Sequence, residues 1–300
     1  MDYRIITALD SVADKLEACG RFREAFSVDI ISNLVEKIAS NPSAQSLRKD
    51  FGLPGGDLDK AFIKKIQQIA NSKGFKSRSL GDVGDSELLF IEPKKRCKGR
   101  DILIVSGTHG NEQAGPFGLL HYLERVSEKT LDMVNLSFIP LLNPTGFRKN
   151  SRDNQWGEKT NRNYDTDKEI SREGKIIKEN LALIKDAGKD GMITMHEDPD
   201  AKVCFIYMYH GKKAEELGEI LLGVERMFFN QRSQIKTDEK GGKAKNGIVW
   251  DRHEGSLEDW LNKGGIPIVA TTETPGKLDF DLRVQANTVL LNAFVDFYLK

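Results

Sequence analysis

Apolar positions change their period once along the chain, near residue 75. Before that point they recur at three- and four-residue spacings in ITALDSVADKLEA, VDIISNLVEKIA and LDKAFIKKIQQIA, the spacing of one buried helix face, so three helices are predicted. LPGG at Leu53 to Gly56 punctuates the last two. From Phe75 onward short apolar runs take over. ELLFIE, DILIVSG, VNLSFIPLL, GMITMH, VCFIYMY and IPIVATTE predict strands, and GPFGLLHYLERVSE, REGKIIKENLALIKDA, AEELGEILLGVERMF and LRVQANTVLLNAFVDFYL predict helices between them. The alternation defines an α/β class, a central β-sheet with helices on both faces, preceded by a short N-terminal helical segment. Residues 1–75 are expected as a helical accessory segment and 76–300 as the main domain.

Composition narrows the partners. Of 300 residues, 45 are Lys or Arg and 45 are Asp or Glu, so no net field draws the chain to nucleic acid or to an anionic membrane. The amino terminus is interrupted by charge and does not read as a secretory leader. No later stretch reaches the roughly 18 apolar residues of a membrane helix. Cys19, Cys97 and Cys204 form no CxxC pair, which argues against a disulfide framework or a zinc knuckle. A cytoplasmic setting is expected. The basic run Lys94 to Arg100 is expected as a solvated connection, and DEKGGKAKNG, Asp238 to Gly247, as a mobile surface loop that lacks the features of a phosphate cradle.

Three predicted strands end on residues of catalytic type: DILIVSGTHGNE brings His109 and Glu112, GMITMHED brings His196 with Glu197 and Asp198, and IPIVATTETPG brings Glu273. In an open α/β sheet the ligand crevice lies beyond the carboxyl ends of the strands, where such residues converge. Two imidazoles and a carboxylate form a three-ligand zinc site with a fourth position open to water, and the same ligand set also accommodates cobalt or manganese. Taken alone, an HxxE pair more often describes hydrogen-bonded side chains at the start of a loop and is a weak metal signal. The stretch Pro140 to Asp165 adds Arg148, Arg152 and Arg162 in a Gly/Asn/Asp-rich loop. A guanidinium fork suits a carboxylate or an oxyanion.

In this order the elements resemble the zinc carboxypeptidase family. HGNE at His109 to Glu112 is similar to its HxxE zinc motif, NPTGF at Asn143 to Phe147 to its NPDG element, and TNRNYD at Thr160 to Asp165 to its NRN element. MHED and GSLEDWLNKGGIPIVATTETPG follow in the family's sequence. The likeness spans roughly residues 75–300 and implies the family's mixed central β-sheet. It implies His109, Glu112 and His196 as zinc ligands and Glu273 as general base. It also implies Arg152 as oxyanion donor with Arg148 second in line, and Asn161 with Arg162 as the clamp on a substrate carboxylate. Three departures stand out. IVWDRHEG carries Trp250 and His253 where many members have a lid tyrosine, Lys159 replaces an aspartate before NRN, and the spacing from HGNE to MHED is short, implying an open site. Glu258, just before Asp259 and Trp260, falls where the family sets side-chain preference and implies a basic terminal residue.

The resemblance implies a zinc metallocarboxypeptidase cutting the C-terminal amide bond of a small peptide, a cell-wall muropeptide among the candidates. A neighbouring branch, the aspartoacylase and succinylglutamate desuccinylase type, shares ligands and base and hydrolyses N-acyl amino acids. A third alternative, a zinc-binding interaction protein without catalysis, is disfavoured by the presence of Glu273 and the arginine pair.

Overall fold

The computed structural model describes residues 57–299 except 167, 202, 210, 212, 230–242 and 246, and of 243–245 the backbone alone. The first two predicted helices and the glycines at 241 and 242 lie outside the described residues. In chain order the elements are α1 (Leu58–Ser72), β1 (Phe75–Val83), β2 (Ser86–Pro93), β3 (Arg100–Ser106), α2 (Ala114–Arg125), α3 (Glu128–Leu131), β4 (Val134–Ile139), α4 (Pro144–Lys149) and α5 (Arg172–Glu179). They continue with α6 (Leu181–Ala187), β5 (Gly191–Asp198), β6 (Phe205–Met208), α7 (Ala214–Phe228), β7 (Lys243–Lys245), β8 (Ile248–Trp250), α8 (Leu257–Lys263), β9 (Val269–Pro275) and α9 (Phe280–Asp296).

Among the described residues nine strands form one mixed sheet in the order β1-β2-β4-β3-β5-β9-β6-β8-β7. Its centre, β4-β3-β5-β9, is parallel, while β1, β2 and β7 pair antiparallel on the flanks and β6 runs antiparallel to β9. All of β4, and β3 and β5 apart from one terminal residue each, are buried, as parallel strands covered on both faces require. Alternate residues of one strand therefore enter two cores. Ile102 and Ile104 join Phe62, Phe117, Leu221 and Leu290 on one face, and Leu103 and Val105 join Ile177, Ile184 and Leu261 on the other.

α1, at the end of the segment expected as accessory, buries Phe62, Ile63, Ile66 and Ala70 in the first core. The Phe62 ring centroid lies 5.7 Å from that of Phe117 and 5.5 Å from that of Phe147. The part of the stretch expected as a surface loop that carries Lys243–Lys245 is instead an edge strand on β8. The basic run before β3 is a connection, as expected, with Arg96 paired to Asp101 and Asp186 and Arg100 to Asp190. Among the described residues no helix is long and apolar enough to cross a membrane.

Candidate metal centre and active site

The site is built at the carboxyl ends of β3, β5 and β9. After β3 the chain turns through Gly107, at φ +61°, a conformation glycine adopts without a side-chain clash. It then makes one tight turn in which Glu112 N–H donates to His109 C=O at 3.2 Å. That turn aims both side chains one way: Glu112 Oε1 lies 2.7 Å from His109 Nδ1, and Glu112 Oε2 lies 2.7 Å from His196 Nδ1. The two Nδ1 atoms are 3.2 Å apart. Zinc–nitrogen bonds of about 2.0–2.1 Å in a tetrahedral arrangement set two ligand nitrogens about 3.3 Å apart. The donor atoms of His109, Glu112 and His196 all lie within 4.8 Å of one another, and all three residues are buried. The donor set and its spacing fit a zinc ion.

Electrostatics match a site made to hold positive charge. Burial works against ionised Glu112, yet His109 and His196 outweigh it and hold its carboxyl at about 2. Burial lowers the His109 imidazole. For His196 burial is overcome by Glu112 and Glu258, which keep the imidazole protonated well above its ordinary range. In the metal-free protein His196 therefore carries the positive charge that the two carboxylates demand.

HGNE and NPTGF are one unit in space. A Cβ on Gly110 would lie 2.0 Å from the carbonyl carbon of Gly146, so only glycine allows the two backbones to meet there. Asn143 caps α4 by accepting from Gly146 N–H at 2.8 Å, and its Nδ2 donates to Arg152 C=O at 3.1 Å. Gly110 N–H also donates to Arg152 C=O. These contacts fix Arg152, whose Nη1 reaches Glu112 Oε1 at 3.2 Å.

A cavity of about 290 Å³ opens over this cluster, and His109, Glu112, His196, Glu273, Arg152, Asn161, Arg162 and Glu258 all line it. Glu273 is the cross-strand partner of His196 and is partly exposed to the cavity. Burial raises its carboxyl to about 8, with His196 and Arg152 opposing the rise and Glu112 and Asp198 adding to it. Arg162 donates to Asn161 C=O at 2.6 Å and lies 3.3 Å from Glu254.

One residue sits otherwise than expected. Arg148 is not at the cavity: it points to the opposite side of α4, where it forms ion pairs with Asp59 at 2.7 Å and Asp85 at 2.9 Å and donates to Ser86. It lies on the last turn of α4, separated from Arg152 by the left-handed Asn150 that ends the helix, and faces α1 and the β1–β2 hairpin. Glu258 is 2% exposed, with Oε1 3.2 Å from His196 Nε2 and Oε2 accepting from Asn161 Nδ2 at 3.1 Å. Asn161 is in turn engaged on its oxygen by Leu257 N–H. His253 faces the buried Asp259 at 2.6 Å.

Arg252 and Glu254, in the stretch where many family members carry a lid tyrosine, are not among the residues expected at the site. Both line the cavity with Tyr207 and Tyr209 of the β6 region. Arg252 lies 2.9 Å from Glu254 and its guanidinium 5.1 Å from the Tyr207 ring centroid. Glu254 thus bridges Arg162 and Arg252. The signal was an arginine two residues beyond a strand end, in a segment already placed at the cavity rim by its likeness to the family.

A family model for the succinylglutamate desuccinylase/aspartoacylase catalytic domain matches residues 98–214. A solved structure from Shewanella denitrificans, described provisionally and by class as a metallopeptidase, is 32% identical, with TM-score 0.75 over 80% of this chain and 90% of its own. A metallo-carboxypeptidase from Burkholderia cenocepacia (15% identical, TM-score 0.58, 79% of this chain and 67% of its own) shares the fold. A succinylglutamate desuccinylase from Silicibacter sp. (16% identical, TM-score 0.50, 75% and 66%) shares it as well. No curated protein matches the chain. Fold and site define the class of metallopeptidase-like proteins. The chain belongs to the metallopeptidase family of the Shewanella denitrificans protein, with residues 98–214 matching the succinylglutamate desuccinylase/aspartoacylase catalytic domain and the fold shared with metallo-carboxypeptidases.

Proposed function

We propose that the protein is a zinc-dependent metallocarboxypeptidase that hydrolyses the C-terminal amide bond of a small peptide. The observation that carries this reading is the meeting of His109, Glu112 and His196 with Glu273, Arg152 and Arg162 around one cavity. His109, Glu112 and His196 would hold the zinc ion, which when bound would supply Lewis-acid polarisation of the scissile carbonyl and a more acidic water. Glu273 accepts the proton of that water on its carboxylate and passes it to the leaving amine. Positive charge at the ligand cluster favours the ionised carboxylate that the first transfer needs, and burial of the carboxyl favours the protonated form from which the second starts. Arg152 donates to the carbonyl oxygen as charge develops there. Arg162 pairs with the substrate's terminal carboxylate, displacing Glu254 from that guanidinium.

The cavity volume, about 290 Å³, lies at the lower end of small-molecule sites, which run from about 300 to 1,000 Å³. It suits a dipeptide or the end of a short peptide. Hydrolysis of N-acyl amino acids is the second reading, favoured by the family model matching residues 98–214. The test is turnover by the zinc-loaded protein on dipeptides with acidic, neutral and basic C-terminal residues beside N-acetyl and N-succinyl amino acids. Release of C-terminal amino acids from dipeptides is expected. Turnover restricted to the acyl amino acids would select the second reading.

A further inference from the structure

We infer that Glu258 is a positioning residue for the metal ligand His196 and not a selector of substrate side chains; the inference rests on the metal-site reading above. His196 turns Nδ1 toward His109 and Glu112 and Nε2 toward Glu258. An imidazole that offers its Nδ1 lone pair to a cation carries its proton on Nε2, and that N–H needs an acceptor which fixes tautomer and ring orientation. Glu258 Oε1, at 3.2 Å, is that acceptor.

The carboxylate is itself held. Asn161 Nδ2 donates to Glu258 Oε2 at 3.1 Å, and Asn161 Oδ1 accepts from Leu257 N–H at 2.8 Å. The relay Leu257–Asn161–Glu258–His196 joins the first turn of α8, the loop after α4 and the end of β5, elements up to 97 residues apart in sequence. Its three side chains belong to residues no more than 5% exposed. A carboxylate that selects a basic substrate side chain needs an oxygen presented to the pocket without an internal cation. Both oxygens of Glu258 are already engaged, one of them by an imidazole. A buried charge of this kind persists because it is paired within the protein.

The test measures zinc affinity and dissociation rate for the full chain, by competition with a chromophoric chelator, together with urea unfolding of the metal-free forms. The variants are Glu258→Gln, Asn161→Ala and His196→Ala. Glu258→Gln keeps the shape and an acceptor but removes the charge. It is expected to bind zinc about 10–100-fold more weakly, the usual effect of losing such a partner, to release it faster, and to shift the absorption bands of the cobalt-loaded protein. Its metal-free form also loses the partner of His196 and is expected to unfold at lower urea, so zinc affinity is compared in the absence of denaturant, where both forms are folded. Asn161→Ala, which removes the support of Glu258 and the acceptor of Leu257 N–H, is expected to weaken zinc binding several-fold and provides the reading if the first variant does not fold.

Zinc affinity and release unchanged in both Glu258→Gln and Asn161→Ala would overturn the inference. So would a Glu258→Gln effect confined to KM for substrates with basic terminal residues. If the unmodified protein and His196→Ala bind zinc equally, the metal-site reading itself fails and this inference falls with it. That outcome is read from a different arm of the experiment.

Discussion

His196 and Glu273 face each other as direct partners across the parallel ladder between β5 and β9. Neighbouring strands lie about 4.8 Å apart, so partnered residues project from the same face of the sheet. The proposed metal ligand and the proposed base are therefore set side by side by strand register. A slip of one residue would turn one of them to the opposite face. The register is held by Met192 opposite Val269 and Ile193 opposite Ala270, which enter different cores.

Replacing Glu273 by Gln separates binding from chemistry. The amide keeps the size of the carboxyl but cannot take a proton from water. Hydrolysis is expected to fall by about 10²–10⁴, the usual contribution of a positioned general base, with zinc bound at the same stoichiometry. Single-turnover assays alongside metal analysis check it. Activity within a factor of two of the unmodified protein would remove Glu273 from the mechanism.

The same residue predicts a pH dependence of stability in the metal-free protein. Its folded value, about 8, lies above the ordinary 4.5. Between those values the unfolded chain has released a proton that the folded protein still holds, so stability falls as pH rises. The slope approaches about 1.4 kcal/mol per pH unit for one group and flattens above about pH 8. Urea unfolding of metal-free unmodified and Glu273→Gln proteins from pH 5 to 9 should show the variant gaining relative stability across that window. A constant difference would show that Glu273 ionises normally in the fold.

Much of this arrangement is legible in the chain, for physical reasons. Strands β3, β4 and β5 read as apolar runs because both their faces are covered, and the ligands sit at their ends because that is where an α/β sheet opens. Strand β1 is not legible: FKSRSLGDV is largely exposed and pairs only with β2. Strands β7 and β8, of three residues each, are too short for any periodicity. Side-chain roles that depend on distant partners are hidden as well. Arg148 finds Asp59 across 89 residues, His196 finds Glu258 across 62, and Glu254 joins Arg162 to Arg252 from a different loop. Type and neighbourhood gave each residue a plausible duty, and the fold turned Arg148 away from the cavity into an ion pair with Asp59.

Arg148→Met tests that reassignment. Asp59 is completely buried and accepts from Arg148 Nε at 2.7 Å and Nη2 at 2.8 Å. Removing the arginine leaves a buried carboxylate without its cation, an error that costs about 3–5 kcal/mol. Unfolding should register most of that loss, and Asp59→Asn in the same chain should recover part of it. KM and kcat of the folded zinc-loaded protein are expected within about twofold of the unmodified values, since the guanidinium does not reach the cavity. A large rise in KM with little change in stability would return Arg148 to the substrate site.

Gly110 offers the sharpest steric test, because it is where HGNE and NPTGF touch. A methyl group there meets the carbonyl carbon of Gly146 at 2.0 Å and Phe147 N at 2.3 Å, backbone atoms that no side-chain rotation can move. The strand-end turn and α4 must separate, which shifts His109 and Glu112 on one side and the Arg152 carbonyl, held by Gly110 N–H and Asn143, on the other. Gly110→Ala is therefore expected to lose at least tenfold in zinc affinity and to destabilise by about 2–4 kcal/mol, in the range of disruptive core substitutions. Gly223, in α7, is the control: a Cβ there meets nothing within 4 Å. Gly223→Ala should stabilise the helix by about 0.5–1 kcal/mol and leave zinc binding untouched. Equal behaviour of the two variants in denaturation and zinc titration would mean that the two motifs are not held in register by this contact.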